Sequence, residues 1–151
     1  MNSTRRSVIK TTSAFGTLIA LGLVTQSQAQ AAVDRAAFDV KTLADALKAL
    51  GGTPATSDQV TVIAPDIAEN GAVVPVGATS NIPNTTDIYL IVEKNPTPLA
   101  AGFEIPAGTE ASVQTRLKMG QSTNVLAVVK ADGKWFSATK ETKVTLGGCG
   151  G

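Results

Sequence analysis

Cysteine is the most nucleophilic side chain in this 151-residue sequence, and it occurs once, at Cys149, in the run Gly147-Gly148-Cys149-Gly150-Gly151. A thiol can form disulfides and persulfides and be released from them again. A free cysteine usually packs as a small hydrophobe, but four flanking residues without side chains offer nothing to bury it with. Glycine also leaves the backbone maximally free, so residues 147–151 read as a thin tether that presents a thiol. From Leu146 to Cys149 the tether reaches about 10 Å, at roughly 3.3–3.6 Å per residue. An arm of that shape can enter a channel that any side chain would block. A frayed end with an incidental cysteine is the plain alternative, because termini and glycine linkers are commonly unordered.

The other residue types narrow the chemistry. Histidine is absent, which removes Ser-His-Asp and Cys-His arrangements and the usual zinc and copper sites. The acidic residues show no calcium-loop spacing, so neither a metal nor another cofactor is expected. Asp66 and Glu69 could be taken for an acid/base pair, but they lie in Ala64-Pro65-Asp66-Ile67-Ala68-Glu69-Asn70-Gly71, where solvated turn carboxylates are the simpler reading. A catalytic thiolate normally has a cation or a helix N-terminus beside it. The glycine run supplies neither, and the like charge of the α-carboxylate two residues on disfavours the thiolate further. An unaided redox enzyme is therefore disfavoured, and no catalytic residues are expected.

Residues 1–31 set the compartment. They begin polar and basic, are apolar from Ala14 to Val24, and end in small residues around Ala29 and Ala31. That is the layout of a removed export signal, with cleavage after Ala29 or Ala31. The apolar run is too short for a stable transmembrane helix. Arg5 and Arg6, followed by Ser7-Val8-Ile9-Lys10, resemble the twin-arginine signal of bacteria, which points to the periplasm. No cysteine sits just after the cleavage region, and Cys149 is third rather than fourth from the end, so lipid attachment and a membrane anchor are not expected. Without the signal, ten basic residues face twelve acidic ones. There is no surplus for a basic face and few aromatic residues for base stacking, so nucleic acid is not an expected partner. One cysteine cannot make an internal disulfide. In an exported chain it points to a reactive thiol or to an inter-chain disulfide through Cys149, the latter being the role of a structural or interaction module.

About 120 residues remain, enough for one domain over residues 32–146 and the arm at 147–151. Val40, Leu43, Ala44, Leu47 and Leu50 recur at helical spacing. They predict one N-terminal helix over 39–50, capped by Asp39 and stopped by Gly51-Gly52, whose apolar stripe packs on the domain or on a partner. After Pro54 the chain becomes a series of short runs bounded by turn formers: residues 59–63, 72–79, 87–93, 99–105, 110–118, 123–131 and 134–146. These read as seven strands. Asp87-Ile88-Tyr89-Leu90-Ile91-Val92 is apolar almost throughout and should be central. Asp132-Gly133 signals a tight hairpin. Trp135-Phe136 reads as core or partner contact, and 140–143 as a solvated strand face. The expected fold is all-β, an immunoglobulin-like antiparallel β-sandwich of about seven strands with one N-terminal helix.

The twin-arginine signal, the stretch from Ala64 through Pro65-Asp66-Ile67-Ala68-Glu69-Asn70-Gly71-Ala72-Val73-Val74-Pro75 to Val76, the strand series and the closing Gly-Gly-Cys-Gly-Gly together resemble the SoxY family. SoxY proteins are the sulfur-carrier subunits of the periplasmic thiosulfate-oxidising system. The resemblance implies a non-catalytic subunit paired with a SoxZ-like small β subunit as a heterodimer. It implies that a c-type cytochrome joins thiosulfate oxidatively to Cys149 as an S-thiosulfonate. A sulfate-releasing hydrolase then leaves a persulfide, and a sulfur dehydrogenase oxidises the sulfur that remains.

Overall fold

The seven valine-, isoleucine- and threonine-rich runs form seven long strands, and two strands of two residues each join them. The structure is a computed structural model in which residues 35–145 are described. The strands are β1 (Ala55–Thr56), β2 (Val60–Ile63), β3 (Ile67–Ala68), β4 (Val74–Ser80), β5 (Thr85–Val92), β6 (Leu99–Glu104), β7 (Ser112–Leu117), β8 (Thr123–Ala131) and β9 (Lys134–Val144). One sheet has the order β1-β9-β8-β5-β6, with β3 also pairing β9; the other has the order β2-β4-β7. Among the seven long strands the chain crosses between sheets at β4–β5, β6–β7 and β7–β8, which makes the two-sheet sandwich expected from the strand pattern. Pairings among the seven long strands are antiparallel. Both short strands run parallel to β9, which the expectation of a purely antiparallel fold did not include.

Alternation in the strands produces two cores rather than one. Between the sheets lie Val60, Val62, Val74, Val76, Ile88, Leu90, Val92, Val125, Ala127 and Val129. On the opposite face of the larger sheet, Ile91, Leu99, Leu126 and Val128 pack with Ala46, and against them lie Leu43, Leu47 and Leu50 of the helix α1 (Leu43–Leu50). β5 and β8 are therefore covered on both faces, which explains why Ile88 to Val92 reads as one apolar run instead of alternating. Val40, Leu43, Leu47 and Leu50 of the stripe pack on their own domain, with Ala46 fully buried at the contact, whereas Ala44, which the spacing placed in the stripe, is exposed. Trp135 joins this outer core and Phe136 the inner one. Lys130 Nζ lies 5.4 Å from the Trp135 ring centroid, so both aromatic residues are contacts within the domain.

The helix starts later than its sequence pattern suggested. Asp39 closes a 3₁₀ turn (Ala37–Asp39), and Val40 is extended, with φ −67° and ψ 151°. The N-cap is Thr42, whose Oγ1 accepts from the Asp45 amide at 3.1 Å and donates to Asp45 Oδ2 at 2.7 Å. The extended Val40 breaks the helical run that an Asp39 cap requires. Gly51-Gly52 does end the helix, both amides donating to the Leu47 carbonyl. At φ +138° Gly51 has a conformation that disfavours side chains, and a Cβ there would stand 2.4 Å from Trp135 Nε1. Asp132 and Gly133 both have positive φ, 49° and 72°, as a two-residue turn of the type that matches strand twist demands.

Candidate functional site

Cys149, Gly147, Gly148, Gly150, Gly151, Arg5 and Arg6 lie outside the described residues. The structure instead shows the ground from which the Cys149 segment departs. That ground is the end of β9, and it is held from both sides.

On one side stands the turn-rich stretch beginning at Ala64. β3 pairs parallel with β9, Ile67 opposite Lys143 and Ala68 opposite Val144. The amide of Lys143 donates to the Asp66 carbonyl at 2.9 Å, and that of Thr145 to the Ala68 carbonyl at 3.1 Å. Lys140 adds a side-chain clamp: Nζ donates to the Ala64 carbonyl at 2.6 Å and lies 3.0 Å from Asp66 Oδ1. The Asp66 side chain is 88% exposed, so the ion pair itself contributes little and the hydrogen bonds to backbone carbonyls contribute more. Asn70 folds the stretch back, its Oδ1 accepting from the Ala72 amide at 2.9 Å. Gly71 is then pressed against the next loop, its carbonyl accepting from the Met119 amide at 2.7 Å. A Cβ at Gly71 would lie 2.4 Å from the Met119 carbonyl oxygen and 2.9 Å from Val144 Cγ1.

On the other side, the β8–β9 ladder is completed by a side chain. β8 begins at Thr123, opposite Thr142. Beyond that pair, Ser122 Oγ accepts from the Val144 amide at 2.8 Å. The backbone is thus fixed as far as Thr145, the last described residue. Cys149 is four residues further, so its Cα lies within roughly 13–14 Å of that of Thr145, the limit of an extended chain. Among the described residues no group of three or more His, Cys, Asp or Glu side chains could hold a metal ion.

The solvated-face reading of 140–143 is corrected in part. Lys140, Thr142 and Val144 share the inward parity of Phe136 and Ala138. Thr142 is fully buried, while Glu141 and Lys143 point outward. Charge alternation hid this because Lys140 carries its ammonium out to the sandwich edge. Asp66 and Glu69 are exposed, as the turn reading held.

Thr142 Oγ1 is buried with no hydrogen-bond partner among the described residues. Removing an unpaired hydroxyl while keeping the shape removes its desolvation cost. Thr142→Val is therefore expected to raise stability by about 1 kcal/mol, read as an increased urea midpoint at unchanged m.

The described residues are an all-β sandwich backed by a helix, with its last strand clamped as far as Thr145. The family model described as "Sulfur oxidation protein SoxY" matches residues 46–149. The chain belongs to the SoxY family. Its structure is similar to that of the sulfur carrier protein SoxY from Chlorobium limicola f thiosulfatophilum. The TM-score is 0.63 at 36% identity, over 70% of this chain and 97% of that one. A superoxide reductase (neelaredoxin) from Ignicoccus hospitalis is similar in fold alone, with a TM-score of 0.50 at 21% identity over 58% of this chain and 80% of that one. No match was found among the curated proteins. Among the described residues no helix is long and apolar enough to cross a membrane.

Proposed function

We propose that this chain is a periplasmic carrier that holds thiosulfate-derived sulfur covalently on Cys149 and presents it to separate enzymes. The observation that carries the reading is the SoxY family match, which runs through residue 149 and so includes the cysteine. The similar Chlorobium chain is itself described as a sulfur carrier protein. Residues 1–31 are the export signal, 32–146 the carrier domain and 147–151 the arm, with Gly147, Gly148, Gly150 and Gly151 keeping it narrow.

In the first step the Cys149 sulfur bonds to the sulfane sulfur of thiosulfate. The thiol proton leaves, and two electrons pass to an oxidant, the c-type cytochrome of the system. Water then attacks the sulfonate sulfur, the S–S bond to it breaks, and sulfate departs while the persulfide remains on Cys149. No residue of this chain needs to act as acid or base in either step, which suits a sequence without histidine. The chemistry belongs to the cytochrome, the hydrolase and the sulfur dehydrogenase, and a SoxZ-like subunit completes the carrier.

Intact-mass measurement of the protein recovered from the periplasm tests this. Sulfane or thiosulfonate adducts on the peptide containing Cys149, removed by reductant, are the expected result. A mass showing only an inter-chain disulfide would assign Cys149 to a structural link instead.

A further inference from the structure

Pro75, Gln114, Thr115 and Arg116 line an open cavity of about 480 Å³. Pro75 stands opposite Arg116 in the β4–β7 ladder. Pro75, Gln114 and Arg116 are exposed, whereas Val74 and Val76 are buried, so the cavity lies on the outer face of the smaller sheet. The helix α1 leaves that face uncovered, since it packs on the larger sheet. Among the described residues neither Arg116 nor Gln114 has a side-chain hydrogen bond or an ion pair, and no carboxylate lines the cavity. An exposed arginine is ordinary in itself. Its position relative to the arm is what gives it a use.

β7 ends at Leu117 and leads into Met119, whose amide donates to the Gly71 carbonyl at 2.7 Å. Gly71 in turn lies against Val144, whose Cγ1 is 2.9 Å from the place a Cβ would take. The ends of β7 and β9 therefore converge at Gly71. Arg116 is three residues from Met119, no more than roughly 10–11 Å along an extended chain, and Cys149 reaches roughly 13–14 Å from Thr145. An adduct on the sulfur and the long arginine side chain add to that reach from its two ends.

The geometry points to the cavity at Arg116 and Gln114 as a binding site for an anionic adduct on Cys149 of the same chain. The inference rests on the carrier reading above and names where the loaded arm docks between encounters. An S-thiosulfonate ends in a sulfonate, a charged group with three oxygen acceptors. The planar guanidinium of Arg116 can donate to two of them side by side, and the Gln114 amide can donate to the third. An unmodified thiol is mostly uncharged at neutral pH and gives neither group anything to hold. Docking at this site therefore distinguishes a loaded arm from an empty one.

The test uses the full chain, loaded with tetrathionate. The thiolate sulfur of Cys149 attacks an inner sulfur of tetrathionate, thiosulfate leaves with the electron pair of the broken S–S bond, and the S-thiosulfonate remains. NMR signals of the Arg116 Nε–H and the Gln114 side-chain amide are expected to shift on loading. They are expected to stay in place when Cys149 carries an uncharged methylthio group instead. Dithiothreitol is expected to remove the thiosulfonate about threefold more slowly from the unsubstituted chain than from Arg116→Gln, a difference lost in about 1 M NaCl. Arg116→Lys should restore part of it, because the charge returns without the fork. Unmoved signals, equal release rates, or equal shifts with the methylthio group overturn the inference and leave the carrier reading standing. Shifts that fade on dilution give the site to the arm of a second copy and overturn it as well. If the folded chain cannot be loaded at all, the carrier reading fails, and this inference with it.

Discussion

Cys149→Ser is expected to abolish sulfur loading while leaving the fold unchanged. The hydroxyl cannot form a persulfide or an S-thiosulfonate under these conditions, and no second cysteine can substitute, because the chain has only one. The two cores found among the described residues are built from positions between Ala37 and Val144. The loss should therefore be total in a thiosulfate-dependent transfer assay, where an adduct is sought by mass, and absent from the urea midpoint. A fall in stability of more than about 1 kcal/mol would show that Cys149 is part of a packed region.

Gly71→Ala is expected to have the largest effect of any single methyl added near the arm. Its Cβ would meet a backbone carbonyl oxygen at 2.4 Å, and a backbone atom cannot swing aside as a flexible side chain can. Either the stretch from Ala64 to Asn70 shifts or the loop at Met119 does, and the Gly71 carbonyl then loses its 2.7 Å bond from the Met119 amide. Overpacking of this kind costs about 1–3 kcal/mol. The signature is local as well as global: amide exchange at Lys143 and Thr145, which donate to Asp66 and Ala68, should accelerate more than at the centre of β8. Uniform acceleration across β8 and β9 would mean that the clamp is not a separate unit.

How far the fold was legible depends on the length of each signal. β8 has the bounds its sequence suggested, and β5 shows its burial on both faces as an unbroken apolar run, because many residues report the same environment. The Asp132-Gly133 turn was legible because positive φ at two successive positions selects those residue types strongly. β1 and β3 were not, since two residues carry no period, and parallel pairing leaves no hairpin signature between partners. The clamp at Ala64–Gly71 was visible as a string of turn formers but not as a partner of β9. The link between them is made by backbone amides and by Lys140, and neither is encoded in a local pattern.

Thr142 was missed for a related reason. A threonine between charged neighbours reads as surface, and only the inward parity of Phe136 and Ala138 reveals that it faces the other sheet. At the site, composition alone singled out Cys149 and its glycines. What composition could not give was the fixed point from which the arm is measured, and the structure supplies it at Thr145.

A carrier role requires a thiol outside the packed body, and the rate of Cys149 alkylation measures that directly. With iodoacetamide at neutral pH, the folded chain should react within about twofold of the rate in denaturant, as an exposed thiol with no nearby stabilising cation does. A folded-state rate suppressed by orders of magnitude would place the sulfur inside the sandwich and contradict that role.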